Sequence, residues 1–319
     1  MSKAVSYSEY GGPEVLKVFD VPEPHAGGGE VRIAVRAAGL NPFDYKVRRG
    51  GYVPNHVLPS LQGAEFAGVI DEVGVGQVGA NESGWAVGAE VLGWINRGAQ
   101  AEYVVVPQAQ VVTKPAGLDW AVAAGIGLVA NTAKRAVDSL DLGPGDTVLV
   151  TAAAGGVGIM TVQFAKATGA TVVGTASQNN HEFLRGLGVI PVAYGTGTDG
   201  TGELERLRAA APSVPTGQGG YTAALDNIGG DAIRTALDLG IPPERINTIA
   251  DHGAIETLGV NGVGGGKKTS EELAEFARLA ASGELVLPIR STYPLMQVVD
   301  AYRDLETGHG LGKVVLLFP

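Results

Sequence analysis

Residues 146–177 constrain the fold of this 319-residue chain more than any other stretch. Residues 147–151 are apolar and β-branched, which predicts a buried strand, and a glycine-rich turn follows at residues 152–158. Apolar side chains then recur at helical spacing up to Gly169, a residue type that commonly ends helices. A second apolar strand follows at residues 171–175. The stretch therefore predicts one βαβ unit whose turn can receive a dinucleotide pyrophosphate on backbone N–H groups and a helix N-terminus.

The turn departs at one position from the dinucleotide fingerprint G-x-G-x-x-G. With Gly158 as the last glycine and Gly155 as the middle one, Ala153 replaces the first. An ordinary tight loop without a ligand is the alternative, but the strand–turn–helix context favours a cofactor. The candidate pyrophosphate-binding residues are Ala153, Ala154, Gly155, Gly156, Val157 and Gly158.

Composition excludes several classes of function. The net charge of −10 argues against nucleic-acid binding, and the absence of cysteine excludes disulfides and thiolate metal sites. Residues 147–165 carry no charge and are long enough to span a membrane, but their glycines and threonines favour strand, loop and helix. The N-terminus lacks an apolar signal core. We expect a cytoplasmic protein that binds neither nucleic acid nor membrane.

The rest of the chain divides by periodicity. Up to about residue 118 it is β-rich, with period-2 alternation at residues 31–37 and strand-like pieces at 66–73, 90–93 and 101–106. Residues 118–140 predict a helical stretch interrupted at Gly125 and Gly127. Predicted strands at 189–193, 222–226, 245–250 and 254–260 then alternate with helices at 181–187, 203–210 and 231–239. This rhythm indicates an α/β fold with a doubly wound parallel sheet. A helix at 270–282 with Ser270 as N-cap, a helix at 294–307 and a strand at 313–318 complete the prediction.

Short segments along nearly the whole chain are typical of one superfamily. They are residues 38–44 (AGLNPFD), 63–68 (GAEFAG), 101–104 (AEYV), 114–115 (KP), 153–158 (AAGGVG) and 312–316 (GKVVL). Together they resemble the medium-chain dehydrogenase/reductase superfamily, and they fit best its zinc-independent quinone oxidoreductase branch, which includes zeta-crystallin. The resemblance implies a GroES-like β-barrel catalytic domain at 1–118, a Rossmann dinucleotide-binding domain at 119–262 and a C-terminal return to the catalytic domain at 263–319. It also implies a homodimer formed through a sheet edge near residues 254–260.

The resemblance also bears on metal binding. Zinc-dependent members carry catalytic zinc ligands at three positions, which correspond here to Asn41, Ala64 and a residue near Leu128. None of these is a zinc ligand, and the four-cysteine structural site is absent. We therefore expect no metal. Without a Lewis acid, the chemistry points to reduction of an activated acceptor, a quinone or an α,β-unsaturated carbonyl compound.

The end of the second predicted strand bears on the choice of cofactor. NAD-specific sites place an acidic residue there, whereas this chain has Ser177, and Asn180 and His181 follow closely. Ser177 and Asn180 can donate to a 2′-phosphate and His181 can add positive charge, which favours NADPH. The alternative is that Ser177 and Asn180 only cap the next helix. By resemblance or by position at strand ends, the other cofactor candidates are Tyr194, Asn227, Ile249, Ala250 and Lys313, although a lysine on a final strand is more often solvated.

Tyr52 and Asn41 are the catalytic candidates. Tyr52 lies eleven residues after Asn41, the spacing at which enoyl-thioester reductases of the superfamily place a proton-donating tyrosine. The alternative is a packing tyrosine. Asn41 can bind substrate or ribose, or can simply begin a turn.

Other residues near these candidates have either a structural role or a role in a substrate pocket. We expect Asp44 to order the turn and Glu65 to be structural. Phe43, Trp94 and Leu128 are candidates for an apolar substrate pocket, although aromatic residues are more often in a core.

Two functions follow from these features. The first is an NADPH-dependent oxidoreductase that reduces a small quinone or enone. The second is an NADPH-binding structural or regulatory protein, like a crystallin, with little catalysis.

Overall fold

The structure is a computed structural model that describes residues 1–74, 84–195, 202–211, 220–263, 266, 268–308 and 310–319. Its contacts divide the chain into two compact units. The first unit comprises Met1–Leu128, Lys268–His309 and Lys313–Pro319, and the second comprises Val129–Lys267 and Gly310–Gly312. The domain ranges expected from sequence, 1–118, 119–262 and 263–319, remain a prediction.

The secondary-structure elements are numbered in chain order over the described residues. The strands are β1 (Ser2–Tyr7), β2 (Lys17–Val21), β3 (Glu30–Gly39), β4 (Ser60–Leu61), β5 (Glu65–Val73), β6 (Glu90–Trp94), β7 (Tyr103–Pro107), β8 (Val111–Thr113), β9 (Thr147–Val150), β10 (Thr171–Ala176), β11 (Ile190–Ala193), β12 (Ala223–Asp226), β13 (Ile246–Thr248), β14 (Ile289–Pro294) and β15 (Lys313–Leu317). The α-helices are α1 (Pro42–Arg48), α2 (Trp120–Asp138), α3 (Gly156–Ala167), α4 (His181–Gly186), α5 (Glu203–Ala210), α6 (Asp231–Asp238), α7 (His252–Leu258), α8 (Ser270–Ser282) and α9 (Val298–Glu306).

The first unit is built on β-sheets, as the sequence predicts. One sheet has the order β14-β15-β3-β5-β6-β8, with β7 also paired to β3, and a smaller sheet has the order β2-β1-β4. Alternate residues of β3, including Val31 and Ile33, are buried, which is the period-2 pattern of a strand with one core face. Their cluster includes Phe66 of β5 and Tyr302 of α9, both fully buried.

The second unit contains a five-stranded sheet with the order β11-β10-β9-β12-β13, and every pair in it is parallel. Both faces of this sheet are covered. Val148 and Val150 of β9 pack into one apolar cluster, and Leu149 packs into another. The doubly wound α/β fold expected from the alternating pattern is therefore present, with its change of strand order between β9 and β12.

The prediction of a strand at residues 254–260 is wrong. Residues 252–258 form α7, and β13 is the last strand of the sheet on that side. Asp251 caps this helix by accepting from the N–H of Ala254 at 3.1 Å, and Gly259 ends it in the left-handed conformation. These caps specify a helix, so the strand on which the expected dimer edge was placed does not exist.

The predicted interruption of α2 is also wrong, because the helix runs unbroken through Gly125 and Gly127. Both glycines leave room for neighbours. A Cβ on Gly125 would lie 3.2 Å from Cε of Lys313, and one on Gly127 would lie 3.0 Å from Cδ1 of Leu273. Close packing, not helix breaking, accounts for these two residues.

Smaller differences concern the ends of elements. Thr269, not Ser270, caps α8 with its side chain. Pro294 ends β14, and a 3₁₀ turn precedes α9, so the last helix begins later than predicted. The sequence prediction also missed β1, β2, β4, β8, β14 and α1.

Candidate active site and cofactor turn

The turn after β9 has a backbone that only glycine permits at its end. A Cβ on Gly158 would lie 2.1 Å from the carbonyl oxygen of Ala152, and Ala152 itself has a positive φ of 47°. Ala153 donates from its N–H to the carbonyl of Thr175 at 2.9 Å. A Cβ on Gly174 of β10 would lie 2.7 Å from Cβ of Ala153, so turn and strand are in close contact.

This turn presents backbone donors at the start of α3. Gly155 is the N-cap, and the first bond of the helix runs from the N–H of Ile159 to the carbonyl of Gly155 at 2.9 Å. The N–H groups of Gly156, Val157 and Gly158 have no acceptor among the described residues. Together with the helix dipole, these groups can bind an anion such as a pyrophosphate. The residues present therefore fit a dinucleotide.

Asp226, which sequence reasoning missed, organises the strand ends beside this turn. It is 2% exposed, and its carboxylate accepts from the hydroxyls of Thr151 and Thr248, both at 2.7 Å. It also accepts from the N–H of Gly229 at 2.9 Å. The carboxylate thus ties together the carboxyl ends of β9, β12 and β13, where ligands bind in doubly wound sheets. A buried acid at the end of a predicted strand was the available signal.

Three cofactor candidates follow these same strands. Asn227 donates from its side-chain amide to the carbonyl of Thr151 at 2.9 Å, so this interaction is structural. Ile249 and Ala250 lie just past β13, where Ile249 donates from its N–H to the carbonyl of Asp226 at 3.0 Å. The structure therefore brings these residues to the same sheet edge as the glycine turn.

Ser177 and Asn180 interact with each other after β10. The amide of Asn180 donates to Oγ of Ser177 at 3.1 Å, and neither side chain makes a capping bond. Both residues nevertheless occupy N-cap positions, Ser177 before the 3₁₀ turn at residues 178–180 and Asn180 before α4, so the alternative that they only cap stays a prediction. The hydroxyl hydrogen of Ser177 has no acceptor in the described part of the chain.

The two remaining candidates of this region differ in exposure. His181 is 9% exposed and bonds through Nε2 to the carbonyl of Ala176 at 3.2 Å. This bond occupies one ring nitrogen. Tyr194, which follows β11, is 44% exposed.

The first unit holds a buried polar cluster centred on Lys313 and Glu65, whose side chains are each 3% exposed. The ammonium of Lys313 donates to Oε1 of Glu65, to Oδ1 of Asn41 and to the carbonyl of Leu40, each at 2.8 Å. The amide of Asn41 donates to the same Glu65 oxygen at 2.9 Å, and the N–H of Leu128 donates to the other at 2.8 Å. We call Lys313, Glu65, Asn41 and the Leu128 amide the buried cluster.

The buried cluster changes the interpretation of three candidates. Lys313 is not solvated, and its three N–H bonds all have protein acceptors, so no donor remains for a cofactor. Asn41 is 2% exposed, with its side chain bonded within the cluster. Glu65 is structural, as expected. Leu128 enters the site through its backbone N–H.

Asn41 also begins α1. Its N–H donates to Oδ2 of Asp44 at 2.8 Å in a capping box, so the expectation that Asp44 orders this segment is confirmed. The hydroxyl of Tyr302 donates to the same oxygen at 3.3 Å. At the other end of the helix, the fully buried Arg48 pairs with Glu306. Helix α1 is therefore held at both ends.

Phe43 and Tyr52 are in contact beside this helix. Their rings meet edge to face with centroids 5.7 Å apart, and Nζ of Lys46 lies 5.5 Å from the Tyr52 centroid. Phe43 is 42% exposed, so it is not a core residue. Burial raises the pKa of Tyr52 above 10.0, so its phenol keeps its proton at neutral pH. Trp94 lies opposite Glu65 in the β5–β6 ladder and is partly buried.

The same residues do not fit a zinc ion. Positions 41, 64 and 128 carry an amide, a methyl and an isobutyl side chain. Among the described residues, no three His, Cys, Asp or Glu side chains lie close enough to hold a metal. The carboxylate of Glu65, which accepts from Asn41 and Leu128, is already paired with Lys313.

Both halves of the chain match families of known proteins. Residues 27–116 match the alcohol dehydrogenase GroES-like domain, and residues 203–316 match the zinc-binding dehydrogenase family. The chain is 30% identical over 335 residues to the quinone oxidoreductase of Mus musculus, covering 99% of this chain and 98% of that protein. It is 30% identical over 332 residues to the chloroplastic NADPH-dependent alkenal/one oxidoreductase of Arabidopsis thaliana, covering 98% and 79%.

Two further similarities extend this result. The chain is 34% identical over 313 residues to the pikromycin polyketide synthase component PikAII of Streptomyces venezuelae; this covers 93% of the chain but spans only 8% of that protein. The solved structure of mycobacterial Rv1454c complexed with NADPH matches with a TM-score of 0.83 and 28% identity over 100% of both chains.

The raised pKa of Asp44 predicts how the free energy of unfolding depends on pH. Burial, reinforced by the charge of Glu65, raises the pKa of Asp44 from 3.8 to about 6, against the opposing bond from Asn41 and the charge of Lys313. Between about pH 4 and pH 6 the folded state binds a proton that the unfolded state has lost, so this group makes stability fall as pH rises. Asp44→Asn keeps an acceptor oxygen and removes the titration. From about pH 4 to pH 8, the variant should gain up to roughly 3 kcal/mol in unfolding free energy relative to wild type.

Urea unfolding across this pH range measures the effect. Asp141→Asn, at an exposed aspartate, is the control for loss of a carboxylate. Parallel stability profiles for Asp44→Asn and wild type would contradict the assignment.

Proposed function

Because this chain belongs to the medium-chain dehydrogenase/reductase superfamily, in its quinone oxidoreductase branch, we propose that it reduces a quinone or an α,β-unsaturated carbonyl compound with NADPH and without zinc. The observation that carries the proposal is the glycine turn, whose three N–H groups at the start of α3 have no acceptor among the described residues, together with Ser177 where NAD-specific sites have an acid. The relatives named quinone oxidoreductase and alkenal/one oxidoreductase support this acceptor class.

The residues of this chain have separate tasks in the proposed reaction. The N–H groups of Gly156, Val157 and Gly158 bind the pyrophosphate, and Ser177 donates to the 2′-phosphate. When bound, NADPH supplies a hydride from its nicotinamide ring, which is the difficult chemistry of the reaction. The protein then has to orient the acceptor and exclude water. Phe43 and Trp94 offer apolar surface for a planar acceptor.

The two kinds of acceptor differ in whether they need a proton from the protein, and Tyr52 is the candidate donor. After hydride addition an enone needs a proton at its α-carbon, whereas a reduced quinone takes protons from water. We propose that the protonated phenol of Tyr52 is the donor for enones. The rival NADPH-binding structural role has no support from the named relatives, which carry enzyme names. The homodimer and the cytoplasmic location stay predictions; none of the helices in the described ranges combines the length and hydropathy that a bilayer crossing needs.

The proposed function is tested by measuring NADPH oxidation with a panel of quinones, alkenals and enones. Acceptor-dependent oxidation is expected, and no turnover with any acceptor would contradict the proposal. Tyr52→Phe should lower kcat for enones on the order of 100-fold and leave quinone reduction within about twofold, because only the enone needs the donor. Tyr10→Phe, at a tyrosine that is 46% exposed, is the matched control. Equal losses with both acceptor kinds would assign Tyr52 to packing.

The cofactor assignment predicts a second result. Ser177→Asp places a carboxylate against the 2′-phosphate, so the KM for NADPH should rise about tenfold or more while that for NADH does not. Ser177→Ala, which removes only the hydroxyl, should cause a smaller rise. If the ratio of the two KM values is the same in Ser177→Asp as in wild type, Ser177 does not contact the 2′-phosphate.

A further inference from the structure

The inference starts from the completeness of the buried cluster. Three acceptors surround the ammonium of Lys313, each at 2.8 Å, and they use all of its N–H bonds. Both oxygens of Glu65 have donors as well. An isolated buried charge of either sign would be strongly unfavourable. Each charge is therefore stabilised by the other, and the ammonium of Lys268 also lies within electrostatic range of Glu65.

The backbone around the buried cluster is built to leave room for it. A Cβ on Gly39 would lie 2.6 Å from Oε1 of Glu65, and one on Gly125 would lie 3.2 Å from Cε of Lys313. A Cβ on Gly127 would lie 3.7 Å from the other Glu65 oxygen. Small residues on β3 and α2 thus enclose the ion pair on more than one side.

The Lys313–Glu65 ion pair lies between Asn41 and the backbone of Leu128, and this position suggests its function. Glu65 joins Asn41 to the backbone of Leu128, and the resemblance to zinc-dependent members implies metal-ligand positions at Asn41 and near Leu128. We propose that the ammonium of Lys313 supplies, from within the chain, the positive charge that a metal ion supplies in those members. It neutralises Glu65, holds Asn41 in place and closes the Glu65 carboxylate to a divalent cation.

Lys313 then acts on the site as a positioning residue. It fixes Asn41, which begins α1, and α1 carries Phe43, whose ring contacts Tyr52. This consequence rests on the proposed function, because it concerns the placement of the residues that meet the acceptor. The neutralisation of Glu65 does not depend on it.

Chemical rescue tests the proposal. Lys313→Ala removes a propylammonium-sized group, so it leaves both a cavity and an unpaired Glu65. Its unfolding temperature should fall on the order of 10 °C. Added propylammonium should restore most of this loss, whereas 1-propanol, which fills the cavity without a charge, should not. Lys313→Met has no cavity to fill and should be destabilised without rescue by either compound.

Turnover supplies the second readout. In Lys313→Ala, kcat should fall about 10- to 100-fold and recover with propylammonium, while the affinity for NADPH, followed by its fluorescence, stays at the wild-type value. A purely structural role would not separate kcat from NADPH binding in this way. Lys313→Arg, which keeps the charge, should retain more activity than Lys313→Met.

Each result decides the proposal. Wild-type stability in Lys313→Met, equal rescue by 1-propanol, or no rescue by propylammonium would overturn it. If Lys313→Ala yields no folded protein, refolding in propylammonium must yield it, and failure there also overturns the proposal. If the wild type turns over no acceptor, the proposed function fails, yet the unfolding temperatures still decide the role of Lys313.

Discussion

The interior of the first unit depends on one ion pair, between Lys313 near the C-terminal end of the chain and Glu65 of β5. These residues are 248 positions apart in sequence, yet their side chains meet at 2.8 Å with almost no exposure. Burying either charge without its partner would be costly. The glycines around the pair, the amide of Asn41 and the N–H of Leu128 are all arranged to satisfy it, and Asn41 in turn begins the helix that carries Phe43. A charge balance inside the core thus extends to the residues that are candidates for substrate contact.

The candidate ligand-binding groups of the second unit are backbone groups, not charged side chains. There the useful groups are backbone N–H groups at the start of α3, which have no acceptor in the described residues because the first turn of a helix lacks intrahelical partners. Gly158 allows the turn to close tightly against Ala152. Asp226 holds the neighbouring strand ends together by accepting from Thr151 and Thr248. One buried carboxylate therefore fixes the sheet edge, and uncharged backbone groups provide the anion site. One matching family is named zinc-binding, but the described residues hold no group of three side chains that could ligate a metal.

Local signals in the sequence were sufficient for part of this structure. The glycine turn, the start of α3 and the period-2 pattern of β3 are short-range features, and the structure confirms them. The apolar residues of 254–260 predict a strand, but Asp251 and Gly259 cap a helix over residues 252–258. Gly125 and Gly127 were interpreted as helix breakers because the side chains they accommodate lie far away in sequence. The pairing of Lys313 with Glu65 has no periodic signature at all, so only the folded chain reveals it.

The most direct test of this account is a double-mutant cycle on Lys313 and Glu65, followed by the free energy of unfolding. Lys313→Met and Glu65→Gln each leave one buried charge without its partner and should each cost about 3–5 kcal/mol. The double variant buries neither charge, so it should be more stable than the sum of the two losses allows, with a coupling energy of about 2 kcal/mol or more. If the two losses simply add, or if either single variant is as stable as wild type, the ion pair does not organise this unit.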